Sequence, residues 1–216
     1  VKIQPTPFFT KDGELDVAGI KKSLEQYAVS QKKVLLLLNF PHNQTGFTPN
    51  EAQAAELIAA IHEVVKKYPD VPFLIALDDA YEGYVYEEGV KKSIFDRLFM
   101  KGQKNFSMIK MDGSAKAMLA YGLRVGFFTL FANSMESADG AFEGDSKKGF
   151  DDEVASKVAG IIRGTISNCS RLGQSIIEKI ADAPEQWRSE VESKIKLLAA
   201  RAIAMLTIGR IAIAWL

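Results

Sequence analysis

Lys116, in Asp112-Gly113-Ser114-Ala115-Lys116, is followed eight residues later by Arg124, in Gly122-Leu123-Arg124-Val125-Gly126. The lysine comes after an apolar run of strand character, Phe106 to Met111. The arginine falls in a second such run, Leu123 to Phe131. A lysine at the end of a buried strand loses solvent, which favours the neutral amine and makes it a nucleophile. An arginine nearby offers a planar fork that matches phosphate. A nucleophilic amine and a phosphate grip together suit pyridoxal 5'-phosphate (PLP), an aldehyde cofactor that carries its own phosphate. Taken by itself the pair also fits an ordinary solvated surface.

Two further segments bear on the choice. Asn39-Phe40-Pro41-His42-Asn43-Gln44-Thr45-Gly46 follows the apolar run Val34 to Leu38, and its Pro and Gly mark a turn. Thr48-Pro49-Asn50-Glu51 then reads as a helix start, with Thr48 as N-cap and Glu51 closing a capping box. This places Asn43 in a strand-to-helix loop, where open α/β sheets bind ligands, although a plain turn residue reads the same way. The second segment is Phe73-Leu74-Ile75-Ala76-Leu77-Asp78-Asp79-Ala80-Tyr81, a buried-strand pattern ending in two acids and a tyrosine. A carboxylate there can pair with a pyridinium nitrogen, and the phenol can reach the ring hydroxyl. Helix capping or loop solvation is the plainer use of Asp78 or Asp79.

The ordered set Asn43-x-Thr45-Gly46, Asp78-x-Ala80-Tyr81 and Lys116-x7-Arg124-x-Gly126 resembles the class I/II aminotransferases, fold-type I PLP enzymes similar to aspartate aminotransferase. The resemblance implies a Lys116 Schiff base with PLP and proton transfer by the freed amine. It also implies that Asp78 keeps the pyridine nitrogen charged, that Tyr81 and Asn43 bond the ring's phenolic oxygen, and that Arg124 binds the phosphate. Asp79 is expected to be exposed or capping. The family's serine three residues before the lysine is Gly113 here, so Ser114 is the nearest hydroxyl for the phosphate. Asn-Pro-Thr-Gly appears as Asn-Gln-Thr-Gly. Amino-acid and 2-oxo-acid substrates and a homodimer are further implications, while a single cysteine, Cys169, fits a reducing compartment and hence a cytoplasmic location. Beta-eliminating lyases share the scaffold, and a non-catalytic fragment is a third reading.

The resemblance covers about Val1 to Ile180 as part of the PLP-binding large domain. Residues 181–216 read as a helical segment, either an incomplete small domain or a tail foreign to the family. Upstream of Asn39 there is neither a Gly- or Ser-rich helix start nor a ring to stack on the cofactor, so a truncated chain is expected. Arg201 and Arg210 qualify as carboxylate binders by residue type alone.

Composition is that of a folded globular body, 47% apolar and 25% charged. Lys plus Arg equals Asp plus Glu at 27 each, which gives no electrostatic case for nucleic acid. A single cysteine, Cys169, excludes an internal disulfide and is assigned to packing. Two histidines, His42 and His62, do not make a typical zinc site; His62 is expected within a helix as a surface or boundary residue, and His42 lies beside Asn43.

The elements that must position these residues read as an α/β fold, three layers deep (α/β/α), with a mostly parallel sheet. Asp16 caps a helix carrying Val17, Ile20, Leu24 and Tyr27 at helical spacing. Pro49 to Tyr68 carries the stripe Ala54, Leu57, Ile58, Ile61, Val64 and Val65. Further helices are predicted near Val90 to Met100, Asp151 to Ile162 and Ser170 to Ile180, with a polar break at Lys147 to Phe150. Ile195 to Leu216 has the length of a membrane span. Arg201 and Arg210, each costing about 2.5–3.5 kcal/mol near a bilayer centre, favour a packed helix with no membrane.

Overall fold

The computed structural model describes residues 4–6, 8–86, 88–132 and 150–214, with side chains for all of these except 150, 151 and 206–214. Of the predicted polar break at Lys147 to Phe150, residues 147–149 lie outside them and Phe150 begins a helix. The chain divides into two units, Val1–Gly113 with Gly126–Asn168, and Ser114–Val125 with Cys169–Leu216.

The first unit is built on apolar strands. Strands β1 (Val34–Asn39), β2 (Phe73–Asp78) and β3 (Phe106–Gly113) run parallel in the order β1-β2-β3, and β4 (Gly126–Ala132) adds antiparallel to β3. This is the mostly parallel α/β sheet expected. Helix α1 (Val17–Gln31) starts where Asp16 Oδ1 accepts the Gly19 N–H at 2.8 Å, as its sequence predicts. Helix α2 (Glu51–Lys67) starts two residues later than predicted. Asn50 is its N-cap and Gln53 its capping-box partner, at 2.9 and 3.0 Å, in place of Thr48 and Glu51. Pro49, buried, precedes that cap.

Helix α1 packs on α2 and on β1. The stripe Leu57, Ile61, Val64 and Val65 is fully buried, and Phe73, Ile75, Phe106 and Met108 join it in one core. Leu35 and Leu37, on the opposite face of β1, are 61% and 58% exposed. Asn105 anchors the amino end of β3, its amide donating to the carbonyls of Val65, Tyr68 and Val71 at 2.9–3.2 Å.

Between β2 and β3 the predicted eleven-residue helix shrinks to α3 (Phe95–Leu98). Residues ahead of it are held by side-chain bonds instead of helical ones. The Ser93 N–H goes to the Glu82 carboxylate, and the Ser93 hydroxyl accepts from the Phe95 N–H. His62 does sit at a boundary, half-buried, with Nε2 donating to the Leu98 carbonyl at 3.0 Å. Helix α5 (Phe150–Thr165) closes the unit in sequence.

The second unit begins with α4 (Ser114–Ala117) and a loop to Val125, and continues in α6 (Arg171–Asp182) and α7 (Pro184–Ala214). Ser170 caps α6 by accepting the Gly173 N–H. Gly173 is buried, and a Cβ there would lie 2.7 Å from the Leu123 carbonyl and 2.8 Å from a Val125 methyl. That glycine lets the helix approach the backbone of the loop that carries Arg124. Among the described residues, no helix is long and apolar enough to cross a membrane.

Candidate functional site

The parallel register brings the carboxyl ends of β1 and β2 level, with Asn39 opposite Asp78 and Asp78 opposite Met111. Asn39 ties the two ends together. Its Nδ2 donates to the Asp78 carbonyl at 2.8 Å, and its Oδ1 accepts the Asn43 N–H at 2.8 Å. Sequence reasoning missed this role; the only signal was an asparagine closing an apolar strand.

The loop beyond Asn39 is shaped by its own contacts. His42 N–H donates to the Phe47 carbonyl, and Gly46 N–H to the His42 carbonyl, with Gly46 at φ +71°. His42 Nδ1 accepts from the Thr45 N–H at 3.3 Å, which puts the ring proton on Nε2. The His42 ring lies 5.2 Å from Phe8, which packs against Phe40 and Phe47. This leaves the Asn43 side chain exposed on a braced loop.

Asp78 ends β2 half-buried, with Oδ1 accepting the Ala80 N–H at 3.2 Å. Tyr81 follows one turn on, half-buried, with its ring edge-on to Tyr84 at 6.3 Å. The fold thus brings Asn43, Asp78 and Tyr81 to the same end of the sheet.

Ser114, Lys116 and Arg124 belong to the second unit. Lys116 is half-buried in α4, and its carbonyl accepts the Leu119 N–H at 2.9 Å. Ser114 is 1% exposed and its hydroxyl donates to the Val125 carbonyl. That bond uses the only proton the hydroxyl has, and it closes the 114–125 loop. Arg124 is exposed and does not lie in a strand. It adopts φ +52° two residues before β4 begins, just after a turn over Tyr121 to Leu123 that the Leu123 N–H closes on the Ala120 carbonyl. The apolar run that suggested a strand from Leu123 mixes loop and strand residues.

The largest departure is Asp79. It is neither exposed nor a cap: it is 4% exposed, accepts a hydrogen bond from Ser93 Oγ, and lies 3.7 Å from Lys110 Nζ. Lys110 also pairs with Glu82 at 2.9 Å and with Asp112. Three carboxylates thus gather around one ammonium. Burial, only partly offset by Ser93 and Lys110, raises the Asp79 pKa from 3.8 to about 6.

That rise has a sign. Between about pH 4 and 6 the folded carboxyl holds a proton that the unfolded one has lost, so stability falls as pH rises through this window. The displacement corresponds to at most about 3 kcal/mol, which water near the half-buried Glu82 and Asp112 reduces to about 1–2 kcal/mol. Asp79→Asn should therefore gain about 1–2 kcal/mol relative to the unaltered protein between pH 4 and 7. Urea unfolding at both pH values measures this; parallel stability curves would contradict it.

Comparison with known proteins agrees with this architecture. The family model for aminotransferase class I and II matches residues 1–207. A mitochondrial aspartate aminotransferase of Schizosaccharomyces pombe is 28% identical over 180 residues, covering 82% of this chain and 36% of that protein. The crystal structure of an Anaerococcus prevotii aminotransferase superposes with a TM-score of 0.71 at 19% identity, over 94% of this chain and 47% of the other. An aromatic-amino-acid aminotransferase from Burkholderia pseudomallei, solved covalently bound to pyridoxal phosphate, gives a TM-score of 0.65 at 25% identity, over 93% of this chain and 44% of the other. The chain belongs to the class I and II aminotransferase family, and it spans less than half the length of these relatives. The match runs past Ile180 into α7, beyond the limit that the motifs alone suggest.

Proposed function

We propose that the protein is a PLP-dependent aminotransferase that moves an amino group between an amino acid and a 2-oxo acid. The observation that carries this reading is the level carboxyl ends of β1 and β2. There Asn39 ties the Asn43 loop to the backbone carbonyl of Asp78, whose own carboxylate is half-buried. The donor set suits the cofactor. Asp78 spends one oxygen on the Ala80 N–H, leaving lone pairs for a protonated ring nitrogen. When bound, the cofactor supplies an electron sink for the pair left on the substrate's α-carbon.

This chain's residues do the rest. Asp78 holds the proton on the ring nitrogen by its charge. Tyr81 and Asn43 would hydrogen-bond the ring's phenolic oxygen. Lys116 Nζ would hold the cofactor through its aldehyde, with loss of water, and as a free amine would carry the proton to and from the substrate's α-carbon. Arg124 pairs with the phosphate as a planar fork. Ser114 stands outside this set because its proton is given to Val125. Two copies assembling around their sites is part of the same proposal.

Product analysis separates this chemistry from elimination on the same scaffold. Supplied with an amino acid and a different 2-oxo acid, the protein with PLP should yield the exchanged pair in equal amounts. Pyruvate and ammonia formed without any 2-oxo acceptor would replace transfer with β-elimination.

A further inference from the structure

Lys110 occupies an unusual place. It lies inside β3, between the apolar Ile109 and Met111, with Leu77 of β2 and Thr129 of β4 as its register partners. Its side chain is only 17% exposed. A lysine so placed is costly unless its charge is matched. Here the match comes from two directions. Asp112 is on its own strand, while Asp79 and Glu82 belong to the turn that leaves β2.

That turn alternates two kinds of residue. Asp78 and Tyr81 are the proposed cofactor ligands, and Asp79 and Glu82 are the residues drawn to Lys110. The backbone repeats the attachment. Asp79 N–H donates to the Met111 carbonyl of β3 at 3.0 Å, and Glu82 N–H to the Asp79 carbonyl at 2.9 Å. Ser93 clamps the far side, its N–H on Glu82 Oε1 at 3.0 Å and its hydroxyl on Asp79. With 79 and 82 pinned, the residues between and beside them have little freedom to swing.

We infer that Lys110 is a positioning residue: its ammonium gathers Asp79, Glu82 and Asp112 and thereby holds the 78–82 turn in the shape that presents Asp78 and Tyr81. The inference rests on the roles proposed above for those two residues. It assigns no ligand to the carboxylate group, whose cation is Lys110 itself.

Amide hydrogen exchange on the cofactor-free protein reads the turn directly. In Lys110→Met, the amides of Ala80 and Glu82 should exchange at least about tenfold faster, while those of α2 keep their rates. Lys110→Arg, which keeps the charge, should restore protection to within about twofold. A PLP titration reads the consequence. Half-saturation should need about five- to tenfold more PLP in Lys110→Met, with the pH midpoint of the visible band displaced and both effects reversed in Lys110→Arg. Should Lys110→Met not fold, Glu82→Gln takes its place. It keeps the shape and the acceptor for Ser93 but loses the charge, and about threefold faster exchange is expected.

Unchanged exchange and PLP binding in the variants would overturn the inference and leave the site reading intact. So would an arginine variant that behaves like the methionine one, since charge would then not be what matters. No Lys116-dependent band in the unaltered protein would overturn the site reading, and this inference with it.

Discussion

Lys116→Ala should abolish the visible absorbance band that PLP acquires on binding, and turnover should fall by about 10⁴-fold or more. The size follows from the number of jobs one nitrogen performs. In the proposed role it would hold the aldehyde, give way to the substrate's amine, and then move the proton at the α-carbon. Methyl at that position can do none of these. Water can replace a proton carrier in part, but it does not hold an aldehyde in place. The structure sets Lys116 on a short helix whose first residue, Ser114, is buried and bonded to Val125. The loop that carries the amine is therefore closed on itself independently of that side chain, and the alanine variant should fold as the unaltered protein does. Borohydride reduction followed by peptide mapping makes the test direct. Cofactor should remain on the peptide containing Lys116 in the unaltered protein and on none in the variant. Capture at another lysine in both proteins would remove Lys116 from its role.

The parts of the fold that read well from sequence are those with one dominant physical cause. Val34 to Leu38, Phe73 to Leu77 and Phe106 to Met111 are apolar over strand length, and all three are strands. The Ala54-to-Val65 stripe has helical period, and its members are buried. Asp16 sits just ahead of a periodic run and caps it. Where two local causes compete, reading the chain is less sure. Thr48 and Asn50 both qualify as caps, and Asn50 wins because Gln53 reciprocates. Leu123 to Phe131 looks continuous, yet Arg124 turns at positive φ and only the later part pairs with β3.

Long-range pairing was not legible. Asp79 looked like a loop acid because its partners, Ser93 and Lys110, lie 14 and 31 residues further along. A trace of it was present: a lysine inside the mostly apolar Phe106–Met111 run calls for a counter-charge if the strand is buried. For the candidate site, residue types and order could be read off, as could the strand ends that carry Asn43 and Asp78. The bridge by Asn39 could not, because an asparagine at a strand end has many uses and only the register shows which carbonyl it meets.

Asp78→Asn is the sharpest test of the electronic part of the proposal. The substitution keeps the shape and one carbonyl oxygen, so the bond from the Ala80 N–H survives and the turn need not move. It removes only the charge. A carboxylate beside a cationic ring nitrogen raises that nitrogen's pKa by about 1–3 units, enough to decide whether it is protonated near neutral pH. Without the proton, electrons from the substrate's α-carbon have nowhere favourable to go. Turnover should therefore drop by at least about 10²-fold while covalent capture at Lys116 persists. The two outcomes together separate Asp78 from Lys116, since binding survives one change and not the other. The loss should also ease at low pH, where solvent protonates the ring without help, so the activity ratio of variant to unaltered protein rises as pH falls. A variant with normal turnover would show that the carboxylate does not hold that proton, and the β2 end would then be structural.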